Sequence, residues 1–227
     1  MKFTETKLKG AYVIEVEPIP DERGFFARSW CQKEFAEHGL NPNLVQCNIS
    51  FNLKKGTLRG MHYQAEPHGE AKLVRCIKGG IYDVIIDLRP DSLTFQEWFG
   101  IELNSENRQM IYIPEGMAHG CQTLADNTEV FYQMSEFYYS ELARGVRWDD
   151  PTFSIDWPEI SQRVISEKDR NFPDFVLLKK SWLRVRGVLL ADIRSRRWWS
   201  AALRFMLSLL KLCPLSIRIV LGIWQIC

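Results

Sequence analysis

Several familiar functional signatures are missing from this chain. None of its six cysteines (Cys31, Cys47, Cys76, Cys121, Cys213 and Cys227) forms a C-x-x-C pair. With no secretory signal at the start, they read as reduced core or surface thiols. The opening Met1-Lys2-Phe3-Thr4-Glu5-Thr6-Lys7 has no apolar h-region, so a cytoplasmic compartment is expected. Histidine is scarce, with only His38, His62, His68 and His119. No internal repeat of fixed period is visible, and no long helical stretch interrupts the segments of strand type. The chain also lacks a strong bulk charge. Its 227 residues carry a formal net charge of +1, but the sum hides an asymmetry. Residues 1–175 are acidic on balance, whereas residues 176–227 hold ten Lys and Arg against Asp192 alone. A domain with an acidic balance does not bind nucleic acid through its bulk field, so nucleic-acid partners are not expected.

What is present is a series of short segments rich in β-branched and aromatic residues. Ala11–Glu15, Gly24–Trp30, Val45–Phe51, Thr57–Gln64, Ala71–Ile77, Gly80–Leu88, Phe95–Leu103, Met110–Ile113, Gly120–Leu124 and Glu129–Phe137 all qualify. Turn signals such as Lys54-Lys55-Gly56, Lys78-Gly79-Gly80 and Pro114-Glu115-Gly116 separate them. In Gly80–Leu88, Tyr82, Val84, Ile86 and Leu88 share one face by period two, with Asp83 and Asp87 on the other. That predicts a sheet with one apolar face and one face opening to a polar lumen. One early helix is predicted from Gln32 to about His38, closed by Gly39. About ten short strands at this spacing make an all-β sandwich, jelly roll or small barrel with few short helices. After Trp148-Asp149-Asp150-Pro151 the chain turns irregular and is expected to form a coiled cover.

The densest chemical signal is Gly56-Thr57-Leu58-Arg59-Gly60-Met61-His62-Tyr63-Gln64, with Lys72-Leu73-Val74-Arg75 close behind. Cations beside a histidine favour its neutral form, and they bind phosphate or a developing oxyanion. The arrangement suits proton abstraction from an anionic substrate; a half-buried strand histidine among surface charges is the plainer alternative. His38 at a helix end reads as structural, and His68 in a loop as solvated. Pro114-Glu115-Gly116-Met117-Ala118-His119 has the spacing of the second cupin motif. A metal-binding first motif would offer His-x-His plus a carboxylate, and here the matching place reads His62-Tyr63-Gln64. Too few ligands remain for a first-row metal, so no metal is expected.

Eight blocks, taken in order, carry a resemblance. They are Asp21-Glu22-Arg23-Gly24-Phe25-Phe26, Gln46 with Asn48, Leu58 to Gln64, Lys72 to Arg75, Ile113 to Gly116, Ala118-His119-Gly120, Arg147 to Pro151, and Ser166-Glu167-Lys168-Asp169. Over about residues 3–175 the chain resembles the dTDP-4-dehydrorhamnose 3,5-epimerase family. The resemblance implies a double-stranded β-helix (cupin) fold, no cofactor, and a nucleotide-linked 4-keto-6-deoxyhexose as substrate. It also implies a place in deoxysugar or cell-surface polysaccharide synthesis. The ketone at C4 acidifies the hydrogens at C3 and C5. Removing one as a proton gives an enolate, and reprotonation on the other face inverts the carbon. By resemblance His62 is the base, Asp169 its orienting partner, Lys72 the group at the enolate oxygen and Tyr132 the acid. Arg59 and His119 match substrate contacts. Arg23, Phe26, Gln46 and Asn48 match the nucleotide-binding part, which the family often completes from a neighbouring subunit, so a homodimer is implied. Strict alternation puts Arg59 and His62 on opposite strand faces; for both to reach one pocket, a bulge or a pocket lip must intervene.

The chain departs from the pattern in two places. Arg28 stands where many members carry glutamate, which puts the nucleotide base in question because a guanidinium donates only. Phe137 stands where many have tyrosine, and a changed pocket wall would alter which carbon is inverted. The alternatives are a single-site 3- or 5-epimerase or ketoisomerase on a related sugar, CDP-linked ones included, and a non-catalytic cupin that binds nucleotide sugars.

Residues 1–175 therefore read as one cupin-type epimerase domain, and residues 176–227 as a basic, Trp- and Leu-rich extension. In the latter, Arg197, Arg204, Lys211 and Arg218 recur every seven positions, with Trp198, Trp199, Phe205, Leu207, Leu209, Leu210 and Leu212 between them. As a helix this would carry one basic stripe and resemble an in-plane segment on an anionic membrane surface. Pro214 would kink it, and the run beyond is short of the roughly 20 residues a span needs. A fused fragment or a tail translated out of frame are the plainer alternatives.

Overall fold

The structure is a computed structural model that describes residues 1–176 and two short strands beyond them. The elements run β1 (Lys2–Glu5), β2 (Tyr12–Glu15), β3 (Ile19–Asp21), β4 (Gly24–Phe26), α1 (Gln32–Glu37), β5 (Gln46–Asn52), β6 (Thr57–Gln64) and β7 (Lys72–Lys78). They continue β8 (Gly80–Asp87), β9 (Trp98–Asn104), β10 (Met110–Ile113), β11 (Met117–Thr123), β12 (Thr128–Met134), β13 (Ala143–Gly145), β14 (Val164–Ile165) and α2 (Glu167–Arg170). The last two, β15 (Arg184–Val185) and β16 (Val188–Leu189), pair with each other. The chain divides into two compact units, Met1–Phe175 and Val176–Cys227. The basic stripe from Arg197 to Arg218 lies outside the described residues. Among the described residues no helix is long and apolar enough to cross a membrane.

Two sheets build the first unit. One runs β1-β2-β10-β7-β12-β5, the other β13-β6-β11-β8-β9 with β14 added parallel to β6. The remaining strand pairs are antiparallel, and the chain crosses repeatedly between the sheets, as in a jelly roll. Strand β5 is the edge of the first sheet. Strands β3 and β4 form a separate exposed hairpin.

Side chains from both sheets meet in the lumen. Val74 and Cys76 of β7, Ile81 and Ile85 of β8, Ile111 of β10 and Val130 of β12 belong to one buried cluster. Each such side chain contributes about 1.5–3 kcal/mol on burial. This corrects the expectation for β8. Its Asp83 face opens not onto a polar lumen but onto this apolar core, because Ile81 and Ile85 lie on the same side. Its Tyr82, Val84 and Ile86 face is covered by Phe153 and Trp157 from the irregular C-terminal stretch, as the coiled-cover reading anticipates. Strands buried on both faces have lost simple alternation as a guide to the lumen. The outer face of the first sheet receives α1 through Phe35, which packs with Ile14, Leu73 and Met110. Gly39, at φ +71°, ends that helix. Its N–H bonds to the Ala36 carbonyl at 3.0 Å, and the Leu40 N–H bonds to the Phe35 carbonyl at 3.0 Å.

Candidate active site

A polar end interrupts the apolar lumen where β6 and β11 of one sheet face β7 and β12 of the other. The local geometry starts at two glycines. In the β6–β11 register His62 lies opposite His119, and Arg59 opposite Cys121. Two residues of β6, Gly60 and Met61, therefore oppose Gly120 alone, which is a bulge. Gly60 adopts φ +128°, and a Cβ on Gly120 would lie 2.8 Å from the Arg59 carbonyl oxygen. Only glycine permits this approach. The bulge resolves the alternation conflict, and Arg59 and His62 line one cavity of about 730 Å³ together with Lys72, His119, Tyr132 and Asp169. That volume suits a ligand of small-molecule size. An adjoining cavity of about 260 Å³ shares His62, Lys72 and Tyr132 and adds Gln46, Glu70, Tyr138, Arg144 and Lys168.

His62 and Asp169 form a dyad. The imidazole Nε2 lies 2.7 Å from Asp169 Oδ1. A carboxylate only accepts, so Nε2 carries the proton and Nδ1 is left with the lone pair. The second Asp169 oxygen accepts the Gly60 N–H at 3.1 Å. Asp169 sits in α2, where its own N–H donates to the N-cap hydroxyl of Ser166 at 3.1 Å. Burial pushes the Asp169 carboxyl up. The His62 hydrogen bond and charge, the Gly60 N–H and the Ser166 contact outweigh burial and hold it below the usual carboxylate range. Phe172 meets the His62 ring edge to face at 6.0 Å. Gly145, opposite His62 on β13, makes room for it, since a Cβ there would lie within 2.3 Å of the Phe172 ring.

A second dyad stands across the strand pair, with His119 Nε2 2.8 Å from Asp83 Oδ2. On the opposite sheet Lys72 is nine-tenths buried, and its Nζ lies 2.7 Å from Glu70 Oε1. Tyr132 reaches the lumen from β12. Burial first, then the Glu70 charge, push its phenol upward, with Arg59 pulling the other way, so it holds its proton at neutral pH. Arg59 is aimed by Asn52, whose Oδ1 accepts its Nε–H at 2.7 Å.

The remaining expected contacts are placed differently. Gln46 lines the smaller cavity, and its Nε2 donates to Asn48 Oδ1 at 3.1 Å. Arg23 and Phe26 lie on the exposed β3–β4 hairpin and line neither cavity; Arg23 pairs with Asp21, and Phe26 is 69% exposed. Arg28 pairs with Glu34 at 2.7 Å. Phe137 is exposed and offers its backbone carbonyl to Gln64, so the neighbouring Tyr138 forms the pocket wall instead. Gln64 spends its amide on the His68 and Phe137 carbonyls at 2.6 and 2.9 Å. His68 is not simply solvated, because its ring stacks on Tyr139 at 4.2 Å. Among the described residues no group of three His, Cys, Asp or Glu side chains is placed to hold a metal ion. Glu70, Tyr138 and Arg144 went unnoticed in the sequence, whereas Lys168 stands inside the block Ser166-Glu167-Lys168-Asp169, where no role was given to it.

The sequence profile of the dTDP-4-dehydrorhamnose 3,5-epimerase family matches residues 5–176. The chain belongs to that family. It is 47% identical over 174 residues to the dTDP-4-dehydrorhamnose 3,5-epimerase of Methanothermobacter thermautotrophicus, covering 75% of this chain and 92% of that one. The crystal structure of the dTDP-4-dehydrorhamnose 3,5-epimerase from Elizabethkingia anophelis is similar with a TM-score of 0.75 at 42% identity, over 77% of this chain and 96% of the other. A Legionella pneumophila dTDP-6-deoxy-D-glucose-3,5-epimerase, solved in complex with dTDP-4-keto-L-rhamnose, is similar with a TM-score of 0.70 at 36% identity, over 74% and 89% of the two chains. The epimerase family thus accounts for both sheets and the cover, and residues beyond 176 fall outside its profile.

Proposed function

We propose that this chain epimerises C3 and C5 of a dTDP-linked 4-keto-6-deoxyhexose by deprotonation and reprotonation beside the ketone. One observation carries the reading: His62, backed by Asp169, and Tyr132 enter one cavity from opposite sheets. A sugar ring lying between them meets a base on one face and a protonated phenol on the other, which is what inversion requires. His62 Nδ1 takes the proton, and Asp169 stabilises the imidazolium that results. Lys72 donates to the ketone oxygen as it becomes an enolate, in a site whose burial strengthens the interaction. Tyr132 then delivers a proton to the far face. General acid–base help of this kind is worth about 10²–10⁴ in rate. The reaction consumes no redox equivalent, and side chains supply every proton transfer.

Arg59 and His119 serve as donors to the diphosphate and sugar, with Arg144 and Lys168 adding positive charge at the adjoining cavity. Tyr138 offers an exposed ring suited to stacking on the nucleobase. Gln46 and Asn48 complete that end. Arg23 and Phe26 act from a second copy of the chain, whose hairpin reaches across. The exposed apolar residues of the hairpin and of edge strand β5, Ile19, Phe26, Ile49 and Phe51, support a homodimer. The Legionella relative, with its bound dTDP-4-keto sugar, supports the choice of substrate.

Solvent deuterium exchange tests the proposal. Incubated in D₂O with dTDP-4-keto-6-deoxyglucose, the full chain is expected to place deuterium at both C3 and C5. Incorporation at one carbon would make it a single-site epimerase, and no incorporation would remove the enzymatic reading.

A further inference from the structure

Glu70 lies two residues before Lys72, and its backbone belongs to the short loop leading into β7. Its side chain is buried, with a relative exposure of 6%. Oε1 is 2.7 Å from Lys72 Nζ, while Oε2 is buried and has no hydrogen-bond partner among the described residues. A buried carboxylate oxygen without a donor is costly, and native structures rarely leave one so. Glu70 also lines the smaller cavity, beside His62, Lys72 and Tyr132. Two oxygens of one carboxylate thus have different surroundings: one fixes the ammonium group, and the other is closed off without a donor, in a side chain that borders the smaller cavity.

We propose that Glu70 is a sugar-binding residue whose Oε2 accepts a hydrogen bond from the hexose hydroxyl on the carbon next to the ketone, while Oε1 holds Lys72 against the ketone oxygen. The inference rests on the reading of Lys72 given above. The chemistry selects the hydroxyl. Lys72 sits at O4, so a carboxylate bound to Lys72 reaches only the substituents of C3 and C5. In a 6-deoxy sugar C5 carries the ring oxygen and a methyl group, neither a donor, which leaves the C3 hydroxyl. Glu70 and Lys72 together then read the ketone–hydroxyl pair, one as acceptor and the other as donor. The same charge near Tyr132 favours the protonated phenol, which is the form an acid needs. The site is therefore matched to a 3-hydroxy-4-keto sugar, and a 3-deoxy substrate would leave the carboxylate unpaired.

Deuterium exchange at C5 is the readout, because it is available in both sugars. Wild-type chain is compared on dTDP-4-keto-6-deoxyglucose and on its 3-deoxy analogue, with Glu70→Gln on the same pair. The amide introduced by Glu70→Gln keeps an oxygen for Lys72 and loses the anionic acceptor. Wild type is expected to favour the hydroxylated sugar in kcat/KM by about tenfold or more, and Glu70→Gln, which slows both sugars through Lys72, to reduce that preference to a few-fold by a larger loss on the hydroxylated one. An equal loss on both sugars would mean that Glu70 acts only through Lys72, and would overturn the hydroxyl contact. Wild type treating the two sugars alike would overturn it without any variant. If wild type exchanges deuterium into neither sugar, the reading of the site as an epimerase fails, a different result from any of these.

Discussion

At the scale of single residues, the site pairs both of its histidines and its lysine with carboxylates: His62 with Asp169, His119 with Asp83 and Lys72 with Glu70. Asp169 is the clearest case. By accepting from His62 Nε2 it leaves the Nδ1 lone pair free for the proposed role of base, while the Gly60 N–H holds its second oxygen and the Ser166 hydroxyl accepts its backbone N–H. Asp169→Asn is expected to lower kcat by about 10²-fold, since an amide can present the wrong partner to Nε2, with a smaller change in KM. The same carboxyl links to stability. Its folded-state pKa is depressed, with burial opposing and the His62 contact leading the groups that outweigh burial. Its contribution is therefore complete above the unfolded value of about 3.9 and is lost as pH falls through the lower folded value. Urea unfolding from pH 7 down to pH 3 should show stability falling at the acid end for wild type and a flatter profile for Asp169→Asn; parallel profiles would contradict the linkage. His62 and Lys72 were legible in the sequence because they sit in a long block of unusual residues. Glu70 was not, because a carboxylate in a loop looks solvated until its distance to Lys72 is known. The role of Asp169 came from resemblance, because its partner is 107 positions away.

At the scale of elements, the decisive device is the bulge on β6. Two glycines, Gly60 and Gly120, let two strands touch so closely that one extra residue fits and both Arg59 and His62 turn inward. Gly120→Ala is expected to cost about 1–3 kcal/mol in chemical denaturation, because its Cβ would meet the Arg59 carbonyl and the Met61 sulfur, and to raise KM by displacing Arg59. An unchanged midpoint with unchanged KM would show the bulge to be dispensable. Strand positions were readable from β-branched clusters and turn residues, and Gly39 announced the end of α1. The alternation of β8 misled for a physical reason: covered on both sides, it carries isoleucines beside aspartates on its lumen face, and Asp83 and Asp87 pair with His119 and Arg89. The four-residue α2 was too short to leave a periodic pattern, yet it delivers Asp169.

At the scale of the whole molecule, two sheets give the site its two-sided character, and exposed apolar side chains on β5 and the β3–β4 hairpin form the edge proposed to meet a second copy of the chain. Ile49 is 66% exposed on an edge strand, which a lone monomer would not favour. Ile49→Asp combined with Phe51→Asp should shift the chain from dimer to monomer in light scattering and raise KM for the nucleotide sugar by about tenfold. A dimer that persists with wild-type KM would locate the interface elsewhere. The sequence's shift to basic, Trp- and Leu-rich composition was legible near residue 176, where the family profile also stops. The central claim is that acid and base reach one sugar from opposite sheets, and C5 exchange followed with stereochemistry in D₂O tests it most directly. With Tyr132→Phe, His62 should still remove the proton and return a deuteron to the same face, giving exchange with retained configuration, whereas His62→Ala should abolish exchange. Inversion persisting at the wild-type rate in Tyr132→Phe, or exchange persisting in His62→Ala, would contradict the account.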